Sequence, residues 1–411
     1  MSPPTAPLPR PVTLVDVHDV EAARAALRGH IRVTPVETSA TLSARAGRPV
    51  LLKAEYRQRT GSFKVRGAYH HIAGLPGSAA ELVAASAGNH AQGVALAASL
   101  AGRRATIFMP VHAALPKVEA TRAYGAEVRL VGDDVEGAMA AAEAHANATG
   151  AHLVPPFDDP AVIAGQGTVG LEILDQVPDL ATVVVPVGGG GLLAGVAVAV
   201  KARRPDVHVV GVQAAGAASM VASLRAGTPT TVAHVHTIAD GIAVKAPSAL
   251  TLAHASALAD ELVTVTDEEI GQALILLLER EKAVVEPAGA VGVAALLAGR
   301  APGSGPVVAV LSGGNVDSLM LTRLIEHGLS AAGRYVRLRI VVADRPGALA
   351  RITETIAELG LNVLDVEHHR AGVRLGIDEV EVLVTLETRD PEHRVAVVDE
   401  LRAAGFTVDL M

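Results

Sequence analysis

The sequence predicts an α/β protein in two parts: parallel sheets covered by helices, then a small βαββαβ domain. Three observations carry this. From about residue 19 to 328, short apolar runs alternate with Ala-rich helical segments. Beyond Gly333 the runs switch to strict in-and-out alternation. Half of the 411 residues are hydrophobic, yet only 2% are aromatic. A core with so few rings must be Ala, Val, Leu and Ile packed by close backbone approach, which the 40 glycines suit. The length exceeds what one core organises, so two or three domains are expected.

Composition excludes several classes. With no Cys there is no disulfide, thiolate metal site or thiol nucleophile. A net charge of −8 argues against a dedicated nucleic-acid binder. The opening MSPPTAPLPRPV has no apolar core of a signal peptide, and residues 1–13 are read as a disordered arm. The uncharged stretch 181–200 is long enough to span a bilayer. Pro186 and four consecutive glycines divide it, so it reads as a buried strand, a loop and a helix. The protein is expected to be cytoplasmic, without a membrane partner.

The strand candidates are VLLKAEY (50–56), ELVAAS (81–86), ATIFMP (105–110), AEVRLVG (126–132), TVVVPV (182–187), HVVGVQ (208–213) and VVAVLSG (307–313). Each precedes a periodic apolar segment, and repeated β-then-α implies parallel sheets covered on both faces. Seven strands are too many for one mononucleotide unit, so two lobes are expected, the smaller covering roughly 55–155. In the last part, strands at 335–342, 362–369, 379–388 and 406–410 bracket helices at 346–359 and 391–404. That is a ferredoxin-like split βαβ order. All lysines precede it, the last being Lys282. The expected domains are 14–330 and 331–411.

Four short motifs carry chemistry. In TGSFKVRGA (60–68), Lys64 follows a Gly-containing turn at the entrance of a helix. Burial and the positive end of the helix dipole both lower an amine's pKa, which frees it for imine formation or proton abstraction. A surface salt bridge is the competing role. SAGNHAQG (86–93) is a strand running into a small-residue turn and a helix, where free amides suit a carboxylate. An ordinary tight loop would look the same. VGGGGLLAG (187–195) lets the backbone wrap an oxyanion at a helix N-terminus. It is neither a GK[ST] phosphate loop nor GxGxxG, so amides alone would hold a phosphate. A flexible hinge is the alternative there. LSGGNVD (311–317) places Ser312 at a strand's C-terminal edge, where ligands collect in such sheets.

Taken in this order, with TIADGIAV (237–244), VVEPAGAVG (284–292) and the Glu55/Gln58 frame, these motifs resemble the fold-type II pyridoxal phosphate enzymes. Among them the threonine ammonia-lyases (threonine dehydratases) of the shorter form are most similar, over about 15–328. VVADRPGALARI (341–352) and LNVLDVEHHR (361–370) are similar to an ACT regulatory domain. The resemblance implies a two-lobed, tryptophan synthase β-like fold with pyridoxal 5'-phosphate as cofactor. Lys64 would hold the cofactor as a Schiff base and remove the substrate Cα proton, with Phe63 against the ring. Gly188, Gly189, Gly190, Gly191 and Leu192 would bind the phosphate, and Asn89 the ring hydroxyl. Ser312 would meet the pyridine nitrogen, with Gly241 and Glu286 along the ring's edge. Ser86, Gly88, Asn89 and His90 would hold the substrate carboxylate. A neutral Ser312 leaves the ring a weaker electron sink than a carboxylate would, which favours β-elimination over transamination or racemisation.

The implied activity is deamination of L-threonine to 2-oxobutanoate, with L-serine as a second substrate. The alternatives are a dehydratase preferring serine or another 3-hydroxy amino acid, and a non-catalytic amino-acid sensor. Three departures matter. Tyr56 replaces the Asn or Asp usual after Glu55, which bears on loop packing. Ala87 stands where serine racemases carry a catalytic Ser. Gln213 and Ser219 stand where those racemases have acidic metal ligands, so no metal is expected. The His pairs at 70/71 and 368/369 and the HVH at 234–236 read as solvated or hydrogen-bonded histidines rather than metal ligands. In the ACT-like domain an isoleucine or valine effector is expected at Asp344, Pro346, Gly347, Ala348 and Leu349. Asn362 and Val363 of a paired domain would complete that site. The alternative there is a pure oligomerisation module. A homodimer or homotetramer is expected.

Overall fold

The computed structural model describes residues 13–77, 81–331, 333–370 and 375–411. The expected N-terminal arm lies outside these, apart from Thr13. The chain forms two compact units, Met1–Asp317 and Ser318–Met411. Helix Ser318–Ala331 therefore groups with the C-terminal unit, not with the catalytic part to which the sequence reading assigned it.

The first unit holds two sheets. The larger has the order β1 (Val36–Ser39), β2 (Val50–Lys53), β10 (Val307–Val310), β7 (Thr182–Pro186), β8 (His208–Ala214), β9 (Glu261–Val265). Its strands run parallel except β1, which is antiparallel to β2. The smaller sheet is parallel, in the order β5 (Glu127–Leu130), β4 (Ala105–Met109), β3 (Leu82–Ala85), β6 (His152–Leu153). All seven predicted strands are present. The three that were not predicted are β1, the two-residue β6, and β9 on the sheet's edge. Residues 181–200 form β7, a glycine loop and the start of helix Gly191–Arg203, all inside the core. Among the described residues no helix is long and apolar enough to cross a membrane.

Close backbone approach builds the core as the composition requires. A Cβ on Gly165 would lie 2.6 Å from Gly67 Cα, so helices Lys64–Gly74 and Pro160–Gln176 cross backbone to backbone. A Cβ on Gly93, in helix Asn89–Leu100, would lie 3.1 Å from the Lys64 carbonyl carbon. Any larger residue at either contact would push the Lys64 helix out of place.

That helix is also fixed electrostatically. Arg66 bonds Glu55 at 2.8 Å and Glu172 at 2.6 Å, and Lys53 reaches Glu172 at 2.6 Å. Lys53, Glu55 and Arg66 are buried, with two cations against two anions. Thr34 donates to Glu55, and Lys53 donates to the Thr34 carbonyl at 2.7 Å. The lysine alone feels burial enough to be pulled below its ordinary range, and the two carboxylates oppose that. A balanced buried network is neutral in cost only while every charge keeps its partner. Glu172→Gln should destabilise the first unit by about 3–5 kcal/mol, seen as a lower urea midpoint.

The second unit carries the predicted βαββαβ order: β11 (Tyr335–Ala343), helix Ala348–Glu358, β12 (Val363–His369), β13 (Glu379–Glu387), helix Pro391–Ala403 and β14 (Thr407–Leu410). Its antiparallel sheet has the order β12-β13-β11-β14. Val336, Leu338 and Ile340 of β11 and Val382, Val384 and Leu386 of β13 face Ile352, Ile356, Val397 and Leu401 of the helices. The alternation in the sequence is this one-sided burial.

Candidate active site

The four motifs meet around one cavity of about 610 Å³ between the two sheets of the first unit. The turn before Lys64 is sewn to the turn after β10. Phe63 N–H donates to Ser312 O at 3.1 Å, Gly314 N–H to Gly61 O at 2.9 Å, and Ser62 pairs with Gly313. Gly61 has φ +69°, and a Cβ there would strike the Asn315 amide at 2.5 Å. The first and fourth motifs are thus one structure.

Lys64 is the first residue of its helix and lines the cavity beside the Phe63 ring. Its Nζ donates to Pro156 O at 3.0 Å. Burial lowers its pKa to about 8, against the pull of the Glu286 carboxylate. The amine is therefore available near neutral pH, as imine chemistry requires.

The glycine loop follows β7, with Gly190 at φ +96° capping helix Gly191–Arg203. A Cβ on Gly189 would lie 2.3 Å from the Phe157 ring, on Gly190 2.5 Å from Met220 Cε, and on Gly188 3.0 Å from Ile242 Cα. Glycine is required at each place, and the helix N-terminus behind the loop favours an oxyanion. Gly188, Gly189, Gly190, Gly191 and Leu192 all line the cavity. An amine-bearing cavity with an amide cradle and no side-chain cation inside the loop fits pyridoxal phosphate.

Gly88 caps helix Asn89–Leu100, and its N–H donates to Ser86 Oγ at 3.1 Å. The first amides of this helix lack intrahelical acceptors, so they suit a carboxylate. The Asn89 amide is held on both sides: Nδ2 donates to Glu286 Oε1 at 2.6 Å, and Oδ1 accepts from Asn315 Nδ2 at 2.7 Å. Burial, reinforced by Asp240, raises the Glu286 pKa to about 7. Gly241 packs against Ala288 and faces this pair, and Ser312 lines the cavity, almost wholly buried. His90 lines the cavity at the first turn of helix Asn89–Leu100. Its imidazole turns to Val154 O at 2.9 Å, and burial, with Lys64 nearby, drops its pKa to about 3. It is a neutral pin, which leaves its backbone amide for a substrate carboxylate.

Sequence reasoning missed Pro156 and Phe157, which form the wall facing Lys64 and the glycines, and Asn315. The one signal for Pro156 and Phe157 was the Asp-Pro helix start at 159–160 just after them, whereas Asn315 sat inside the LSGGNVD motif. It also missed two ion pairs across the cavity mouth, Lys117–Asp240 at 3.0 Å and Glu136–Lys245. Gln213 and Ser219 satisfy their own polar groups. Gln213 donates to Ala217 O at 3.2 Å, and Ser219 donates to Val244 O at 2.7 Å.

The predicted effector residues lie in the second unit. Gly347, at φ +90°, caps helix Ala348–Glu358 after the Asp344–Pro346 turn. Val363 pairs with Leu386, which pairs with Val336, whereas Ala343 pairs with Glu379. Asn362 and Val363 thus sit at the opposite end of the sheet from Asp344.

This fold and cavity define a fold-type II pyridoxal phosphate enzyme with an appended βαββαβ domain. The family "Pyridoxal-phosphate dependent enzyme" matches residues 27–313 and the "ACT domain" matches 336–406, and the chain belongs to the first family. It is 46% identical to the L-threonine ammonia-lyase of Thermotoga maritima, over 97% of this chain and 100% of that protein. It is also 46% identical to the L-threonine ammonia-lyase of Geobacter sulfurreducens, over 95% of this chain and 98% of that one. Maize serine racemase superposes with a TM-score of 0.73 at 34% identity, over 78% of this chain and 99% of that chain.

The amine of Lys64 should titrate near pH 8 in cofactor-free protein, read by competitive acetylation and mass spectrometry. Glu286→Gln removes the charge that raises it, so the midpoint should move lower. A midpoint near that of free lysine would contradict the burial argument.

Proposed function

We propose that the chain is an L-threonine ammonia-lyase, converting threonine to 2-oxobutanoate and ammonia by α,β-elimination of water, with L-serine as a second substrate. The observation that carries this is Lys64, a lowered-pKa amine in a cavity it shares with the glycine loop and Ser312. Relatives named for this activity match along nearly the whole chain. When bound, pyridoxal phosphate supplies an electron sink for the charge left on Cα. The residues that would hold it are Lys64 with Phe63, the amides of Gly188 to Leu192, Asn89, Gly241, Glu286 and Ser312.

The chain's own groups divide the remaining work. The amides at Ser86 to His90 hold the substrate carboxylate. Lys64 Nζ takes the Cα proton, which its lowered pKa permits near neutral pH. Ser312, a neutral hydroxyl, cannot hold a proton on a ring nitrogen as a carboxylate would. That limits carbanion lifetime and favours loss of the β-hydroxyl. Ala87 offers no acid on the opposite face, which argues against racemisation despite the likeness to serine racemase. We read Gln213 and Ser219 as replacing a metal site.

We further infer an isoleucine or valine effector at Asp344–Leu349, completed by Asn362 and Val363 of a second copy. The register that separates these two ends within one chain supports pairing. A homodimer or homotetramer in the cytoplasm belongs to the same reading.

Lys64→Ala should cut 2-oxobutanoate release from threonine by about 10²–10⁴-fold or more. Dialysis against EDTA should leave the wild-type rate unchanged, and a loss restored by Mg²⁺ would overturn the metal-free reading. Isoleucine or valine should change the rate and Asp344→Ala should remove the response. A rate indifferent to both amino acids would leave the second unit as an assembly module.

A further inference from the structure

The loop from His152 to Asp159 is tied at both ends to one imidazole. His71 Nδ1 lies 2.9 Å from Asp159 Oδ1, and His71 Nε2 lies 2.8 Å from His152 Nε2. The Asp159 carboxylate needs a proton on Nδ1, so in neutral His71 the Nε2 accepts from His152 Nε2–H. The His71 and His152 rings also stack, with centroids 5.1 Å apart. His71 is buried, and Asp159 Oδ1 additionally caps the following helix through Val162 N–H at 3.0 Å.

The tip of the same loop is the wall of the cavity. Pro156 O is the acceptor for Lys64 Nζ, and Phe157 fills the space against Gly189 and Gly191. Between base and tip, Val154 O accepts from His90. Lys64 and His71 belong to one helix and, two turns apart, share a face of it. The helix therefore grips the loop twice: at its base through His71, and at its tip through Lys64.

We infer that His71 is a positioning residue for the active-site lysine, pinning both ends of the 152–159 loop so that Pro156 and Phe157 stand at fixed distance from Lys64 and the glycine loop. This rests on the reading of Lys64 given above, but the pin itself does not. A loop of this length closed only by its neighbouring strand and helix would carry the conformational freedom that the double contact removes.

The test uses the full chain. In cofactor-free protein, His71→Ala should speed hydrogen exchange about tenfold at the Val154 and Val162 amides, which donate to Val83 O and Asp159 Oδ1, leaving helix Asn89–Leu100 unchanged. In the loaded enzyme kcat for threonine should fall about tenfold with KM nearly constant, because the lysine is displaced rather than the carboxylate site. His152→Phe keeps a ring and removes one pin, so its exchange and kcat should fall between wild type and His71→Ala. It also carries the test if the alanine variant does not fold. Unchanged exchange in the folded variants would overturn the pin. Faster exchange with wild-type kcat would overturn the positioning role. If Lys64→Ala stayed active, the reading of Lys64 would fail while the exchange result still judged the pin.

Discussion

The first unit of the molecule depends on the burial of Arg66. Its guanidinium is held by Glu55 and Glu172 on opposite sides, and that network anchors the helix beginning at Lys64 inside the core. A buried arginine cannot shed its proton, so it must be matched by carboxylates. Lys53 completes the charge balance. The same helix therefore carries a permanently charged residue at its third position and a lysine of weakened charge at its first. The difference is the partner: Arg66 touches two carboxylates, whereas Lys64 finds a carbonyl and a more distant Glu286.

Around that anchor the cavity sorts its titratable groups by environment. Lys64 at about 8, Glu286 at about 7 and His90 at about 3 are shifted chiefly by burial, each toward its neutral form. A site whose groups sit near neutrality can move protons at physiological pH without a fixed charge beside the reacting carbon. At the mouth, the Lys117–Asp240 and Glu136–Lys245 ion pairs join the small lobe to the large one.

The second unit follows other physics. Its helices supply one apolar face to an antiparallel sheet, and β12 forms the sheet's edge with Val363, Leu364 and Val366 exposed. The Asp344–Leu349 turn and the Asn362–Val363 corner lie at opposite ends of this sheet.

Much of this was legible in the residues. The seven apolar strands, the βαββαβ order and the glycine loop follow from periodicity and from glycine's tolerance of positive φ, which act over a few neighbouring positions. Lys64, the four glycines and Ser312 stood out for the same reason, since each closes a strand with a turn. What only the tertiary structure decided was which distant groups meet. Pro156 and Phe157 form the cavity wall, Asn315 grips Asn89, His90 turns to a carbonyl, and His71 pins a loop eighty residues downstream. Residues carry no local mark of such contacts, because burial and hydrogen-bond partners are set by how helices cross. Here they cross where Gly67 meets Gly165 and where Gly93 meets Lys64, and that packing turns separate motifs into a single site.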